Sequence, residues 1–309
     1  MAYRTVTRGR RAYTRKATRS TGRKFGGTRL RRRYPTRKRR YPRKMSNKRI
    51  LNLTSTKKKD SMVTWTNTVS GTPAGGTSFK VGAATLDGAH DYIFGWIPTA
   101  RSTQHGGGTT VDVSHADYTV RTAQTCYMRG LKERIHIQTS SGIAWNWRRI
   151  CFTLKGDELL RFTETGYRWD DLTSQGHMRV TNSFAGSNGG SAIVDLLFEG
   201  TQNVDWASLF SAKVDNKRVS LKYDKTLRLQ SGNQSGIVRQ FNRWHAMNKN
   251  LEYDADEAGD RVANGQYSTS SRAGMGDYYV IDIIRAGTGG TTSDFMTFQP
   301  EATLYWHEK

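Results

Sequence analysis

Arginine is the residue whose number and spacing promise chemistry in this chain, and it is concentrated in one stretch. Residues 1–59 hold 24 of the 49 Lys and Arg and no Asp or Glu. From Asp60 to Lys309 there are 25 basic and 26 acidic residues, so the formal charge of +23 divides into +24 for the first stretch and −1 for the remainder. A guanidinium is planar, permanently charged and able to grip phosphate through two parallel hydrogen bonds. The expected nucleic-acid-binding residues are therefore Arg4, Arg8, Arg10, Arg11, Arg15, Lys16, Arg19, Arg23, Lys24, Arg29, Arg31, Arg32, Arg33, Arg37, Lys38, Arg39, Arg40, Arg43 and Lys44. Tyr3, Tyr13, Tyr34 and Tyr41 supply rings that can stack on bases. The cluster Arg31, Arg32, Arg33, Arg37, Lys38, Arg39 and Arg40 also fits a nuclear-import signal. Import needs only that one cluster, whereas the charge continues well beyond it, so polyanion binding is the primary expectation.

Catalytic chemistry finds little to work with. No Gly-Lys dipeptide occurs, which excludes a phosphate-binding loop of the P-loop type, and no GxGxxG follows a strand. The seven histidines His90, His105, His115, His136, His177, His245 and His307 never stand as HxH or HExxH, so no zinc or nickase signature is present. Asp170-Asp171 is read as a pair in a solvated loop, because neighbouring residues of an extended chain point to opposite faces. Asp254-Ala-Asp256 opens like a calcium loop, but Ala258 stands where the next acid belongs and Gly265 where the closing Glu belongs. Cys126 and Cys151 lie 25 apart with no CxxC spacing and are read as reduced, partly buried thiols. The expectation is a non-enzyme with neither metal nor cofactor.

The elements that must present these residues follow from composition and period. Residues 1–45 carry almost nothing to bury; ordering a backbone costs roughly 1–2 kcal/mol per residue, so this arm is expected to be disordered when free. Residues 46–309 are long enough for one large core. The longest apolar runs, Ala192 to Phe198 and Tyr278 to Ile284, are interrupted by Asp195 and Asp282 and fall far short of the ~20 residues of a spanning helix; no membrane and no secretory signal are expected.

Strands are expected at Ile50–Thr56, ended by Lys57-Lys58-Lys59, and again at Met62–Thr66 and Tyr92–Ile97. Ser70–His90 and Arg101–Asp117 read as Gly-rich loops. Leu131–Thr139 alternates as a half-buried strand with a basic outer face, interrupted by Glu133. Between Ile143 and Leu154 the apolar parity switches near Arg148, which calls for a bulge or for burial on both faces. Short helical turns are expected at Asp157–Phe162 and at Asp205–Lys213, the latter capped by Asp205. Val219–Gln230 has the cleanest period of two, followed by strands at Ile237–Met247, Tyr278–Arg285, Phe295–Phe298 and Ala302–Trp306. Many short strands, polar connections and no βα alternation predict an all-β chain, an antiparallel jelly-roll sandwich with a disordered basic arm.

Several blocks carry a resemblance. The Arg/Tyr arm opening MAYR, ILNLTSTKKKD at 50–60, WNWRRICF at 145–152, WHAMNKNLEYDADEAG at 244–259, GMGDYYVIDI at 274–283 and PEATLYWHEK at 300–309 resemble the capsid protein of gemycircularviruses. These are members of the genomovirus family of small circular single-stranded DNA viruses, distant relatives of geminiviruses. The resemblance implies a jelly-roll domain at 46–309, a small icosahedral shell of identical subunits, an inward arm on a single-stranded DNA genome, host nuclear-import receptors as partners, and residence in the virion and the host cell nucleus. About sixty copies would set roughly 1,440 arm charges against one phosphate per nucleotide, the scale of a genome of one to a few thousand bases. The alternative is a cellular nucleic-acid-binding protein of ribosomal or chromatin type with a basic tail.

Overall fold

The computed structural model describes residues 45–72, 75–104, 117–162, 164–259 and 261–309, without the side chains of residues 48, 261, 262 and 264. The chain divides into Met1–Met45 and Ser46–Lys309, and every described element belongs to the second unit. It begins with helix α1 (Asn47–Thr54), then runs through strands β1 (Thr56–Met62), β2 (Thr64–Thr66), β3 (Lys80–Val81), β4 (Ala84–Asp87), β5 (Asp91–Trp96), β6 (Thr125–Thr139) and β7 (Trp145–Leu154). Next come β8 (Leu172–Thr173), β9 (Gly176–His177), β10 (Arg179–Thr181) and helix α2 (Asn188–Leu197). The chain closes with β11 (Ser220–Leu229), β12 (Val238–Ala258), β13 (Arg261–Ser268), β14 (Asp277–Ala286) and β15 (Phe295–Glu308).

Two antiparallel sheets carry the fold. The long sheet has the order β1-β15-β6-β12-β13 with β4 also on β15, and the short sheet the order β11-β7-β14-β5. Their pairings are nested in the chain: β1 with β15, β5 with β14, β6 with β12 and β7 with β11, all antiparallel. Successive members of this set alternate between the sheets except at β7 and β11, which are neighbours in one sheet. Between the sheets, Met128, Leu131, Leu304 and Trp306 of the long sheet meet Trp96, Cys151, Tyr278 and Val280 of the short one. Further along, Ile135, Ile137, Met296 and Phe298 meet Tyr92, Phe94, Trp145 and Trp147.

The short sheet is covered on its far side as well. Ile150, Phe152, Tyr279, Ile281 and Ile283 pack there against Ile193, Leu196 and Leu197 of α2 and against Trp169, Phe184, Leu209 and Val214 from the connections. Burial on both faces explains the parity switch across β7, where nine of the ten residues are buried. The bulge sits on its neighbour, between Leu221 and Tyr223 of β11. Among the described residues no such layer covers the long sheet: β15 alternates buried and accessible along its whole length.

Several expectations are corrected. The stretch beginning at Ile50 is helical, because the Ser46 hydroxyl accepts the Arg49 amide and caps α1. Lys57-Lys58-Lys59 continues into β1 and does not end a strand. Lys58 turns inward to an ion pair with Glu308, 3.0 Å away, while Lys57 and Lys59 face out. The region 70–90 contains β3 and β4, short strands that long-range pairing holds despite the glycines around them. The region 105–116 lies outside the described residues. The two closing strands are one, β15, running through Pro300. The Pro300 carbonyl accepts the Thr64 hydroxyl. Since N and C=O of one residue point the same way in a strand, the proline nitrogen also faces the gap between β4 and β1 and no ladder bond is lost. The turn at 157–162 forms, with Arg161 N donating to Asp157 O. The Asp205 carboxylate, by contrast, accepts Thr201 N and caps no helix; Ser208–Ala212 is a tight turn. The second helix lies instead at Asn188–Leu197, capped by Ser187, whose hydroxyl accepts Gly190 N at 3.0 Å. Asp254 and Asp256 sit in β12, which pairs with β13.

Candidate functional site

The cations expected to bind nucleic acid, Arg4 through Lys44 including the import cluster Arg31 to Arg40, lie outside the described residues, as do His105 and His115. What the described body adds is a set of buried charges that position its sheets and an open face that could meet a partner.

The most concentrated polar group lies between the two sheets. β6 contributes Glu133, β7 Arg149, β14 Asp282, β10 Arg179 and β12 His245, and none is more than 5% exposed. Arg149 grips Asp282 through two bonds, Nε to Oδ1 at 2.7 Å and Nη2 to Oδ2 at 2.8 Å, and its Nη1 donates to Glu133. Arg179 donates to Glu133 at 3.3 Å, to Asp282 at 3.2 Å and to the Val180 carbonyl at 2.7 Å, with its guanidinium 4.3 Å from the centre of the Trp96 ring. Trp147 Nε1 donates to Asp282 at 2.7 Å. Two carboxylates face two guanidiniums, so the set is neutral when His245 is neutral. Burial alone would raise the Glu133 carboxyl, but the Arg149 and Arg179 charges and the His245 ring outweigh it and hold that carboxyl well below its ordinary range.

Cys151 and His245 lie side by side here, Sγ 3.9 Å from Nδ1, a pairing that in an open cleft would point to a nucleophile. Here burial pushes the Cys151 thiol upward, away from thiolate. His245 Nε2 lies 3.5 Å from Glu133 Oε2 and makes no hydrogen bond. The arrangement joins both sheets and β10 through charge and offers no path to a substrate. Sequence reasoning treated Glu133 as an interruption of a strand. The signal was present: Glu133 stands at the buried parity of β6, Arg149 inside WNWRRICF and Asp282 inside an apolar run, and a charge at a buried position requires a partner.

A second buried pair fastens the edge strand. Glu308 accepts Lys58 Nζ, the Thr122 hydroxyl at 2.5 Å and Trp306 Nε1 at 2.7 Å, tying β1 to the end of β15 and to the segment before β6. Nearby, Arg121 is buried and donates to the carbonyls of Arg101, Ala123 and Gly265 while stacking 3.7 Å over Tyr253. The carboxylates of Asp170 and Asp171 are half-buried rather than solvated. Asp170 accepts the Tyr267 hydroxyl, and Asp171 accepts Trp65 Nε1 and Arg168. Burial pushes Asp170 up to about 6.

Among the described residues no group of three His, Cys, Asp or Glu is arranged to hold a metal ion. No described helix is long and apolar enough to cross a membrane. The accessible chemistry lies on the outer face of the long sheet, where Lys57, Lys59, Arg129, Lys132 and Arg134 are exposed. The acids on that face include Glu301, directly across from Arg134, Glu252, which accepts the Thr125 hydroxyl, and the exposed Asp254 and Asp256 further along β12. Comparison of the chain with protein-family models and with curated proteins finds no match.

Proposed function

We propose that this chain is the coat subunit of a small circular single-stranded DNA virus of the genomovirus kind, assembling with identical copies into an icosahedral shell and packaging the genome through its basic arm. The observation that carries the reading is the partition of charge. The +23 divides into +19 for residues 1–45, which have no acid, and +4 for the 264-residue unit Ser46–Lys309, so copies of the body can approach one another without strong repulsion while the arms neutralise a polyanion. The nested antiparallel pairs β1:β15, β5:β14, β6:β12 and β7:β11 support a jelly roll as the form of that body. The buried charge cluster supports a rigid building block, since it joins both sheets where no substrate can enter.

In this reading the cations from Arg4 to Lys44 hold phosphate, and Arg31 to Arg40 engage host import receptors on the way to the nucleus. The protein resides in the virion and the nucleus, acts on no substrate, and needs neither cofactor nor membrane. Sixty copies of a 34.9 kDa chain weigh about 2 MDa. Electron microscopy and light scattering of the full chain mixed with circular single-stranded DNA should therefore show closed particles in the megadalton range. Small complexes that bind DNA without closing would favour the cellular nucleic-acid-binding alternative.

A further inference from the structure

Trp244 is 52% exposed, an unusual condition for the largest side chain, and it is not loose. Its indole lies over Gly130 of β6: a Cβ built there would sit 2.7 Å from Trp244 Cζ2 and 2.6 Å from the His245 carbonyl. Glycine is therefore required at 130 for the ring to lie where it does. The same ring reaches Tyr305 of β15, with centroids 5.8 Å apart. Tyr305 in turn is the register partner of Lys59 on β1. Beyond it opens a surface hollow of about 350 Å³ lined by Lys57, Lys58, Lys59, Tyr118 and Tyr305, with Tyr118 59% exposed. Lys132 is the cross-strand partner of Trp244. Among the described residues neither Lys59 nor Lys132 has a carboxylate partner.

Trp244 on β12 and Tyr305 on β15 are tilted 57° to each other, and Tyr118, whose carbonyl accepts Lys59 N, stands in the segment beyond β1, so three rings line one face from β12 past β1, flanked by cations. Three inter-strand gaps of about 4.8 Å give a platform roughly 14 Å long, enough for a few nucleotides. Flat rings beside cations are the chemistry that holds unstacked bases, while a duplex hides its base faces. We propose that Trp244, Tyr305 and Tyr118, with Lys59 and Lys132, form a stacking platform for single-stranded nucleic acid on the folded body, separate from the arm. The inference rests on the reading of the chain as a single-strand binder and adds to it where bases, as distinct from phosphates, are held.

The test uses the full chain and an oligonucleotide of about twelve thymidines, alongside an abasic strand of the same length, each titrated over a salt series. Trp244→Ala with Tyr305→Ala should lower affinity for the thymidine strand by about 5- to 150-fold at every salt concentration. It should leave the slope and the abasic affinity unchanged. Lys59→Gln with Lys132→Gln should flatten the slope by about 1.4. Trp244→Phe, which keeps a ring, should retain most of the affinity, and the thymidine strand should shield Trp244 of the unaltered chain from iodide quenching. If the double alanine variant, folded by circular dichroism, still prefers thymidine over abasic strands by the original factor, the platform is refuted while arm binding stands. If it instead changes the mass of the assembly at unaltered affinity, the face belongs between copies of the chain. If the unaltered chain binds neither strand, the proposed function itself fails.

Discussion

Replacing Glu133 by Gln tests whether the charges between the sheets are a balanced set. The substitution keeps the side chain's size and one acceptor oxygen, so loss of packing cannot account for the outcome. It leaves Arg149 and Arg179 facing Asp282 alone, a net +1 inside a cluster no more than 5% exposed. Removing one partner from a buried ionic set costs about 3–5 kcal/mol, because the remaining charge keeps its desolvation penalty. At roughly 2–4 °C per kcal/mol for a unit of this size, the melting temperature should fall by about 6–20 °C. The pH dependence supplies a second reading. The folded Glu133 carboxyl lies below its unfolded value, so its stabilisation is fully present above about pH 5. It is lost as the pH falls through the unfolded value near 4.3 toward the folded one. Urea unfolding followed by Trp fluorescence should thus give a constant gap between the two proteins from pH 5 to 7 that narrows below pH 4. Adding Arg179→Met to Glu133→Gln restores neutrality and should recover part of the loss, a coupling of about 1–3 kcal/mol. A Glu133→Gln protein within 1 kcal/mol of the original, or a gap that does not narrow in acid, would refute the balanced-charge account.

Three further outcomes are expected. Asp170 has the opposite sign: its folded carboxyl is pushed up to about 6 by burial, so its contribution is favourable below pH 4 and disappears as the pH rises through 6. Asp170→Asn, which can still accept the Tyr267 hydroxyl, should then gain up to about 2 kcal/mol on the original protein between pH 4 and 7 in urea melts; no relative gain would contradict the burial argument. If about ten arm cations contact phosphate together, log K against log salt should have a slope near −7 on single strands. Arg31 to Arg33 changed to Gln should flatten it by about 2, whereas Tyr3, Tyr13, Tyr34 and Tyr41 changed to Ala should lower affinity at constant slope, all read by fluorescence anisotropy. Replacing the basic residues of Arg31 to Arg40 with Gln should leave a tagged chain in the cytoplasm by microscopy; unchanged nuclear accumulation would place the import signal elsewhere, and not at Lys57 to Lys59, whose central Lys58 is buried against Glu308.

The strands most readable from sequence were those with one open face. Leu131 to Thr139 and Val219 to Gln230 alternate because one side meets the core and the other meets water. Where both faces are covered, as in β7 and β14, the period disappears and only length and apolar content remain. Local signals failed where distant contacts decide: Lys58 reads as a strand breaker until Glu308, 250 positions away, is seen to accept it. Helix α2 was hidden by Gly189 and Gly190 in its first turn. The second of these is required because Phe184 O would lie 2.0 Å from an added Cβ. The juxtaposed rings were not legible, since nothing in the sequence brings Trp244 to Tyr305 or lays it over Gly130.

The two faces of the sandwich differ in a way that constrains what each can meet. α2 and the long connections occupy the outside of the short sheet and bury its apolar side chains, so that face is spent on the monomer's own core. Among the described residues nothing covers the outer face of the long sheet, which carries Lys57, Lys59, Arg129, Lys132 and Arg134 together with Glu301, Glu252, Asp254 and Asp256. A second copy of the same face would bring these cations against one another. Each cation pair at 4 Å would cost about 1 kcal/mol in water and about 4 kcal/mol at the effective dielectric of a protein surface, while Asp254 and Asp256 lie toward the β13 end of the face, away from the cations of β1 and the middle of β6. A polyanion reverses the sign of every one of those terms, and an exposed Trp244 beside Tyr305 adds attraction that salt does not screen. In the proposed reading, the open face is the one whose rings and cations suit nucleic acid, and loops and edges are where contacts between copies should be sought.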